Sequence, residues 1–204
     1  MRQILFATTN PHKTNEVRAI LAPLGIDVLS LESLESVPEE PDETEQTFAG
    51  NARLKARYYA KETGVASLAE DSGLEVDALS GAPGVHSARY AGTAGTRAER
   101  DRANNEKLLR ELGRFPFAPR TARFVCALCL AAPDGTVLEE TTGAYEGEIT
   151  DSPRGQNGFG YDPLLYLPDV GRTSAELPPF EKNARSHRGK AVRALAERLT
   201  ARTS

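Results

Sequence analysis

Residues 3–31 read QILFATTNPHKTNEVRAILAPLGIDVLSL. Their first five residues form a short apolar run that predicts a strand, and apolar residues then recur at helical spacing between residues 15 and 24. Residues 26–31 follow a glycine and predict a second strand. A strand, a helix and a second strand in this order indicate a β-α-β unit, and therefore an α/β fold with helices flanking a sheet.

The rest of the chain carries further helix and strand signals. Thr47 opens a predicted helix at 48–63 that Gly64 ends. Residues 96–99 have the S/T-x-x-E form of a capping box, ahead of a helix that runs to about residue 112. The other predicted elements are a loop at 36–46, hairpin strands at 121–132 and 136–142 around Pro133-Asp134-Gly135, a flexible loop at 155–160, an extended run at 162–166 and a basic helix at 186–201.

A tight turn is expected at Glu70-Asp71-Ser72-Gly73, between a strand at 65–69 and a returning segment at 74–79. Neighbouring carboxylates of this kind suit Mg²⁺, which takes one or two carboxylates and fills its other positions with water and phosphate oxygens. The same four residues are also typical of a solvated Asp-Ser-Gly turn. Taken alone, the motif therefore leaves both interpretations open.

The composition is that of a globular protein. The 204 residues are 39% hydrophobic and 26% charged, without a low-complexity tract. At this length one domain or two tightly apposed lobes are both ordinary, and we treat residues 1–204 as a single domain. A net charge of −4 argues against a general nucleic-acid binder. No apolar stretch approaches the roughly 18 residues of a membrane span, so we expect a cytoplasmic protein with no nucleic-acid or membrane partner.

The cysteines and histidines do not predict a redox or zinc site. Cys126 and Cys129 have C-x-x-C spacing, but they lie in a strand-like run, and residues three apart on a strand point to opposite faces. They are better interpreted as two small buried residues. His12, His86 and His187 are scattered along the chain, which disfavours a zinc site.

The loop at 8–13 is the first candidate binding site. Its hydroxyls, exposed amides and one ammonium lie between a strand and the start of a helix, where the helix dipole favours a phosphate. The loop lacks the glycines of a P-loop. Capping of the helix by Thr9 or Asn10 explains the same residues equally well.

Other polar residues are candidates by position. Glu43 and Glu45 precede a helix, where carboxylates are favourable in any case. Asn51 and Lys55 are four apart on that helix and share a face, which either lines a cleft or is exposed surface. The loop at 155–163 contains two aromatic rings and a carboxylate among flexible glycines, and an aromatic ring of this kind can stack on a nucleotide base.

Taken together, these segments resemble the inosine triphosphate pyrophosphatase family, also called XTP/dITP diphosphatases, over nearly the whole chain. The order and spacing of the motifs carry the resemblance, since each one is weak alone. They are Ala7-Thr8-Thr9-Asn10-Pro11-His12-Lys13, Thr47-Phe48-Ala49-Gly50-Asn51-Ala52-Arg53-Leu54-Lys55-Ala56, Asp71-Ser72-Gly73-Leu74, Gly81-Ala82-Pro83-Gly84, Ser87-Ala88-Arg89-Tyr90, Phe159-Gly160-Tyr161-Asp162-Pro163 and Ser186-His187-Arg188-Gly189.

The resemblance implies an elongated α/β fold, with a mixed sheet, flanking helices and two lobes around a central nucleotide cleft, and a homodimer. It implies Mg²⁺-dependent hydrolysis of ITP, dITP or XTP to the monophosphate and pyrophosphate, which removes deaminated purines from the nucleotide pool. Asp71 would be general base and metal ligand, with Glu43 and Glu70 as further ligands. The implied nucleotide-binding residues are Thr8, Thr9, Asn10, Pro11, His12, Lys13, Lys55, Ser72, Phe159, Gly160, Tyr161, Asp162, Lys182, His187 and Arg188.

Two positions depart from the family's pattern. The family often has an aspartate where this chain has Glu70, and a glutamate where it has Gly50. Glu43, Glu45 or Glu70 would have to substitute for that missing glutamate. Two other functions stay open: a pyrophosphatase for other nucleotides on the same scaffold, and a nucleotide-binding module without catalysis, against which the clustered acids argue.

Overall fold

The computed structural model describes residues 3–201, apart from the side chain of His12. Within that range the strands are β1 Gln3–Phe6, β2 Asp27–Ser30, β3 Ser67–Val76, β4 Thr121–Ala131, β5 Val137–Ile149, β6 Leu165–Leu167 and β7 Arg172–Thr173. The α-helices of the same range are α1 Pro11–Leu21, α2 Phe48–Thr63, α3 Arg97–Leu112, α4 Pro179–Arg185 and α5 His187–Ala201.

The seven strands form one mixed sheet in the order β2-β1-β3-β4-β5-β6-β7. Strand β1 pairs in parallel with β2 and with β3, whereas β6 pairs antiparallel with β5 and β7. Parallel strands need a crossover, and α1 supplies it between β1 and β2. The predicted β-α-β start and the mixed α/β class are confirmed.

The opening unit is held by apolar side chains on both faces of β1. Ile4 and Phe6 pack with Val17 of α1 in one cluster, while Leu5 packs with Tyr59 of α2 in another. The side chains of Ile4, Leu5 and Phe6 are all fully buried. Burial on both faces is why this strand is a continuous apolar run and not an alternating one.

The chain divides into two compact units. Unit 1 comprises Met1–Ser72, Cys126–Gly143 and His187–Ser204, and unit 2 comprises Gly73–Val125 and Ala144–Ser186. Each unit has its own apolar cluster, around Phe6 and Leu128 in unit 1 and around Leu108 and Leu164 in unit 2. The assignment of all 204 residues to a single domain stays a prediction.

Helices α2 and α3 begin where their capping residues predict. The Thr47 hydroxyl accepts from the Gly50 N–H, and Gly64 ends α2 with a φ of 67°. At α3, Thr96 and Glu99 form the complete capping box. Each side-chain oxygen satisfies a backbone N–H that has no partner within the helix, so the local sequence fixes these boundaries.

The tight turn expected at residues 70–73 is wrong, because β3 runs without interruption from Ser67 to Val76. Its neighbours in the sheet are β1 and β4, and Leu68 and Leu74 are fully buried on either side of the acidic residues. Sheet pairing and burial outweigh the local turn preference of Asp-Ser-Gly. Successive residues of a strand point to opposite faces, so Glu70 and Asp71 have different surroundings.

Two other segments differ from the prediction. The extended run expected at 162–166 is a turn as far as residue 164, and strand β6 begins only at Leu165. Helix α4 was not predicted: it has seven residues and begins after Pro178. Cys126 and Cys129 are free and buried in β4, as predicted. No helix within residues 3–201 is long and apolar enough to cross a membrane.

Candidate functional site

Glu70 lies at the centre of a buried ionic group in unit 1, the Glu70 cluster, which consists of Lys13, Glu16, Glu70 and Arg188. Arg188 donates from Nε to Glu70 Oε2 at 2.6 Å and from Nη2 to Oε1 at 3.1 Å. Lys13 Nζ lies 2.6 Å from Glu70 Oε1, and Arg188 Nη1 donates to Glu16 at 2.8 Å. Both Glu70 oxygens are therefore committed to cations of the chain itself.

The charge of Glu70 depends on these cations. Burial alone would raise the pKa of Glu70, but Arg188 and Lys13 together hold that pKa well below its ordinary value of 4.5. The carboxylate is thus ionised in the interior, where an unpaired charge would be very costly. In this arrangement Glu70 is an ion-pair partner, and a role as magnesium ligand would require Lys13 or Arg188 to withdraw.

Asp71 points to the other face of β3 and belongs to a second group, the Asp71 cluster, which consists of Glu43, Asn51, Lys55 and Asp71. Asn51 Nδ2 donates to Asp71 Oδ2 at 3.0 Å, and Lys55 Nζ lies 3.8 Å from Oδ1. Burial raises the pKa of Asp71, an effect that Lys55 and Asn51 reduce but do not cancel. A carboxyl group with a raised pKa is better suited to accept a proton near neutral pH.

Helix α2 joins Asp71 to the acidic loop that precedes it. Lys55 Nζ lies 2.5 Å from Glu43 Oε1, and the Glu45 N–H donates to Asn51 Oδ1 at 3.0 Å. Asn51 and Lys55 share a face, as predicted, and both side chains are buried. The acidic loop therefore packs against the start of α2, which brings Glu43 and Asp71 to the same ammonium group.

The 8–13 loop leads from β1 into α1. The Thr8 hydroxyl accepts the Asn10 N–H at 3.2 Å, while Thr9 is exposed. Pro11 is the first residue of α1, and Lys13 extends from the first turn into the Glu70 cluster. The side chain of His12 lies outside the described part of the chain.

In unit 2, Asp162 organises the predicted binding loop. Asp162 is buried and accepts from the Phe159 N–H and from the Ser174 hydroxyl, both at 2.8 Å, and from Lys182 Nζ. Helix α3 also holds the loop, because Gly160 donates its N–H to Asp101. The loop is thus fixed by side chains on both sides of it in the sequence.

The two aromatic rings of this loop have different surroundings. Tyr161 is buried, and its hydroxyl donates to the carbonyl of Ser87 at 2.9 Å. Phe159 is 44% exposed, with the Arg97 guanidinium 4.7 Å and the Lys182 ammonium 4.9 Å from its ring centroid. Of the two rings, only that of Phe159 is exposed enough to stack on a base.

The remaining predicted residues lie in unit 1. Ser72 donates its hydroxyl to Glu70 at 3.5 Å, and His187 is the first residue of α5. The sequence did not identify Glu16 or Ser174 as site residues. Glu16 is three residues from Lys13 on α1, and that helical spacing was the available signal. Ser174 meets Asp162 through tertiary packing alone, which no local pattern encodes.

The chain is similar to known proteins over nearly its whole length. A family model described as "Ham1 family" matches residues 4–198. A "dITP/XTP pyrophosphatase" from Thermus thermophilus is 49% identical over 195 residues, which cover 96% of this chain and 90% of the relative. A protein of the same name from Exiguobacterium sp. is 52% identical over 193 residues, with coverages of 95% and 94%.

Solved structures give the same assignment. A HAM1 protein from Coxiella burnetii matches with a TM-score of 0.90 and 43% identity, covering 98% of this chain and 100% of that one. The Ham1 protein of Staphylococcus aureus matches with a TM-score of 0.86 and 38% identity, with coverages of 98% and 99%. With the family model matching nearly from end to end, this chain belongs to the Ham1 family.

Proposed function

We propose that this protein is a nucleoside triphosphate pyrophosphatase that hydrolyses dITP, ITP and XTP to the nucleoside monophosphate and pyrophosphate. The names of its relatives support the substrate class. The observation that carries the chemistry is Asp71, a largely buried carboxylate with a raised pKa, oriented by Asn51 and close to Lys55. The physiological result would be the removal of deaminated purines from the nucleotide pool.

The Asp71 cluster fits magnesium. Glu43 and Asp71 share one cation, the Lys55 ammonium, whereas Glu70 is paired with two, so Mg²⁺ would have to replace only Lys55 at this position. Mg²⁺ is usually bound through one or two protein carboxylates, with water and substrate phosphates in its other positions, and Glu43 and Asp71 supply two. We therefore propose Asp71 and Glu43 as the ligands, with Glu70 as a charge partner. When bound, the ion would neutralise phosphate charge and stabilise the pyrophosphate leaving group.

The residues of the chain supply the other parts of the reaction. Asp71 accepts the proton of the attacking water as a new O–P bond forms and the α–β phosphoanhydride bond breaks. Lys55 and Lys13 offset the negative charge of the triphosphate, and the N–H groups of Thr9 and of the first turn of α1 bind phosphate oxygens. No covalent intermediate is required.

Base recognition would rest on hydrogen-bond polarity. Donors such as the His187 side chain or backbone N–H groups suit a 6-oxo purine, whereas the amino group of adenine leaves such a donor unpaired at a cost of about 1–3 kcal/mol. Arg188 already donates to Glu70 and Glu16, so we propose that it acts chiefly by holding the Glu70 cluster together. Phe159 would stack on the base.

The test is pyrophosphate release from ITP, XTP, dITP, ATP, GTP and CTP, with Mg²⁺ and with EDTA. We expect rapid cleavage of the first three nucleotides and only with the metal. Equal cleavage of ATP or CTP would assign the protein to another nucleotide specificity, and cleavage of none would indicate a binding module. A homodimer is proposed from the family resemblance alone, and the cytoplasmic location expected from the sequence stays a prediction.

A further inference from the structure

The side chain of Asn51 joins the two acidic segments of unit 1. Its Oδ1 accepts the Glu45 N–H at 3.0 Å, and its Nδ2 donates to Asp71 Oδ2 at 3.0 Å. A backbone N–H can only donate and a carboxylate can only accept, so these two partners fix which way the amide faces. Asn51 is fully buried, and no isosteric apolar residue could make either bond.

Gly50 allows the acidic loop to approach this amide. A Cβ at position 50 would lie 2.7 Å from the Cβ and 3.0 Å from the Cγ of Glu45, and 3.0 Å from the Thr47 hydroxyl. The stem of Glu45 thus occupies the space that a side chain at position 50 would need. Because Glu45 Cβ is close to the backbone, the loop itself would have to shift to make room.

The loop position matters because Glu43 lies two residues before Glu45. Glu43 reaches Lys55, which also lies near Asp71. The distance between the two carboxylates therefore depends on where the loop rests against α2. Asn51 accepts a hydrogen bond from the Glu45 N–H of the loop and donates one to the Asp71 carboxylate. A single side chain therefore sets the position of both groups.

We propose that Asn51 is a positioning residue that holds Asp71 and the Glu43 segment in register for catalysis. The inference rests on the proposed function and deepens it by naming the group that orients the base. Residues that orient ligands or bases through hydrogen bonds typically change metal affinity or activity by roughly 10- to 100-fold when removed. Loss of the amide would leave the Asp71 carboxylate held by Lys55 and by the backbone N–H of Ser72, and would remove the acceptor of the Glu45 N–H.

The test compares Asn51→Ala with Asn104→Ala. Asn104 is a matched control on α3: it is also buried, its Oδ1 accepts the Ala91 N–H at 2.7 Å, and its Nδ2 donates to the Ser87 carbonyl at 3.2 Å. Both variants lose an amide that bridges two segments, so each should lose stability. Only Asn51→Ala should lower the kcat for dITP by roughly 10- to 100-fold while KM stays within about threefold.

Hydrogen exchange provides a readout without substrate or metal. In Asn51→Ala the amides at 43–46 should exchange faster, whereas in Asn104→Ala the faster amides should lie near residue 91. A kcat for Asn51→Ala within about threefold of wild type, or equal kcat losses in both variants, would overturn the proposal. If the wild type cleaves no nucleotide, the proposed function fails, and exchange at 43–46 still decides whether Asn51 anchors the loop.

Gly50→Ala tests the same idea with the Asn51 amide intact. Alanine favours a helix over glycine, so the variant should fold even if Asn51→Ala does not. The added Cβ should displace the loop, accelerate exchange at 43–46 and lower kcat roughly tenfold. Unchanged kcat in Gly50→Ala, with accelerated exchange, would show that loop position does not control turnover and would contradict the proposal.

Discussion

Two adjacent carboxylates on β3 illustrate how strongly surroundings determine the behaviour of a residue. Glu70 is held ionised by Arg188 and Lys13, whereas the pKa of Asp71 is raised by burial. The sequence predicted that both were functional acids but could not separate them, because the assumed turn placed them in one group. The two carboxylates have different surroundings because successive residues of a strand point to opposite faces of the sheet.

Arg188 should be essential for stability. Replacing it by Met leaves Glu70 in the interior with Lys13 as its remaining cation, and breaking a buried pair in this way costs about 3–5 kcal/mol. Arg198→Met is the matched control on the same helix. Arg198 is exposed and interacts with Glu139 and the Glu140 carbonyl at the surface. Such exposed interactions stabilise a protein by about 1 kcal/mol or less. Urea unfolding at pH 7 measures the free energy of unfolding of both variants, and an equal decrease in the two would contradict the account.

The depressed pKa of Glu70 also predicts how the free energy of unfolding changes at acidic pH. The pKa of Glu70 is depressed in the folded protein, so as pH falls below the ordinary value of 4.5 the unfolded chain binds the proton first and the free energy of unfolding decreases. The stability advantage of the wild type over Glu70→Gln should therefore be full near neutral pH and shrink as pH falls below that value. A difference that stays constant across this range would show that Glu70 is not the group responsible.

At the level of elements, the sequence predicted what local chemistry controls. The ends of α2 and the capping box of α3 lie where Thr47, Gly64 and Thr96 indicate, because each boundary depends on one nearby side chain or one positive φ. The continuous β3 and the short helix α4 were not predicted. Strand β3 is extended because its neighbours pair with it, and that information lies elsewhere in the chain.

The packing of α5 against β5 depends on Gly143. A Cβ at this position would lie 2.2 Å from the His187 carbonyl oxygen and 2.7 Å from the Ala191 nitrogen, both backbone atoms. We expect Gly143→Ala to lower the free energy of unfolding by about 1–3 kcal/mol. Gly64→Ala, which meets nothing within 4 Å and has only its positive φ to strain, should cost less, about 1 kcal/mol. Chemical denaturation compares them, and a larger loss for Gly64→Ala would be inconsistent with this packing.

For the whole molecule, the sequence predicted the fold class and the family through the order of weak motifs, and both are confirmed. The sequence did not predict which residues pair with one another within the site. Glu70 and Arg188 are 118 residues apart in the chain, and no local pattern links them. The roles of the individual residues stay predictions that kinetics must test.

The most direct test is the kcat for dITP hydrolysis by Asp71→Asn, measured with Mg²⁺ beside the wild type and with folding checked by circular dichroism. Asparagine keeps the shape of the side chain but cannot accept the proton, so we predict a folded protein whose kcat falls by at least roughly 100-fold. A folded Asp71→Asn protein that hydrolyses dITP at the wild-type rate would contradict the central claim that Asp71 is the catalytic base.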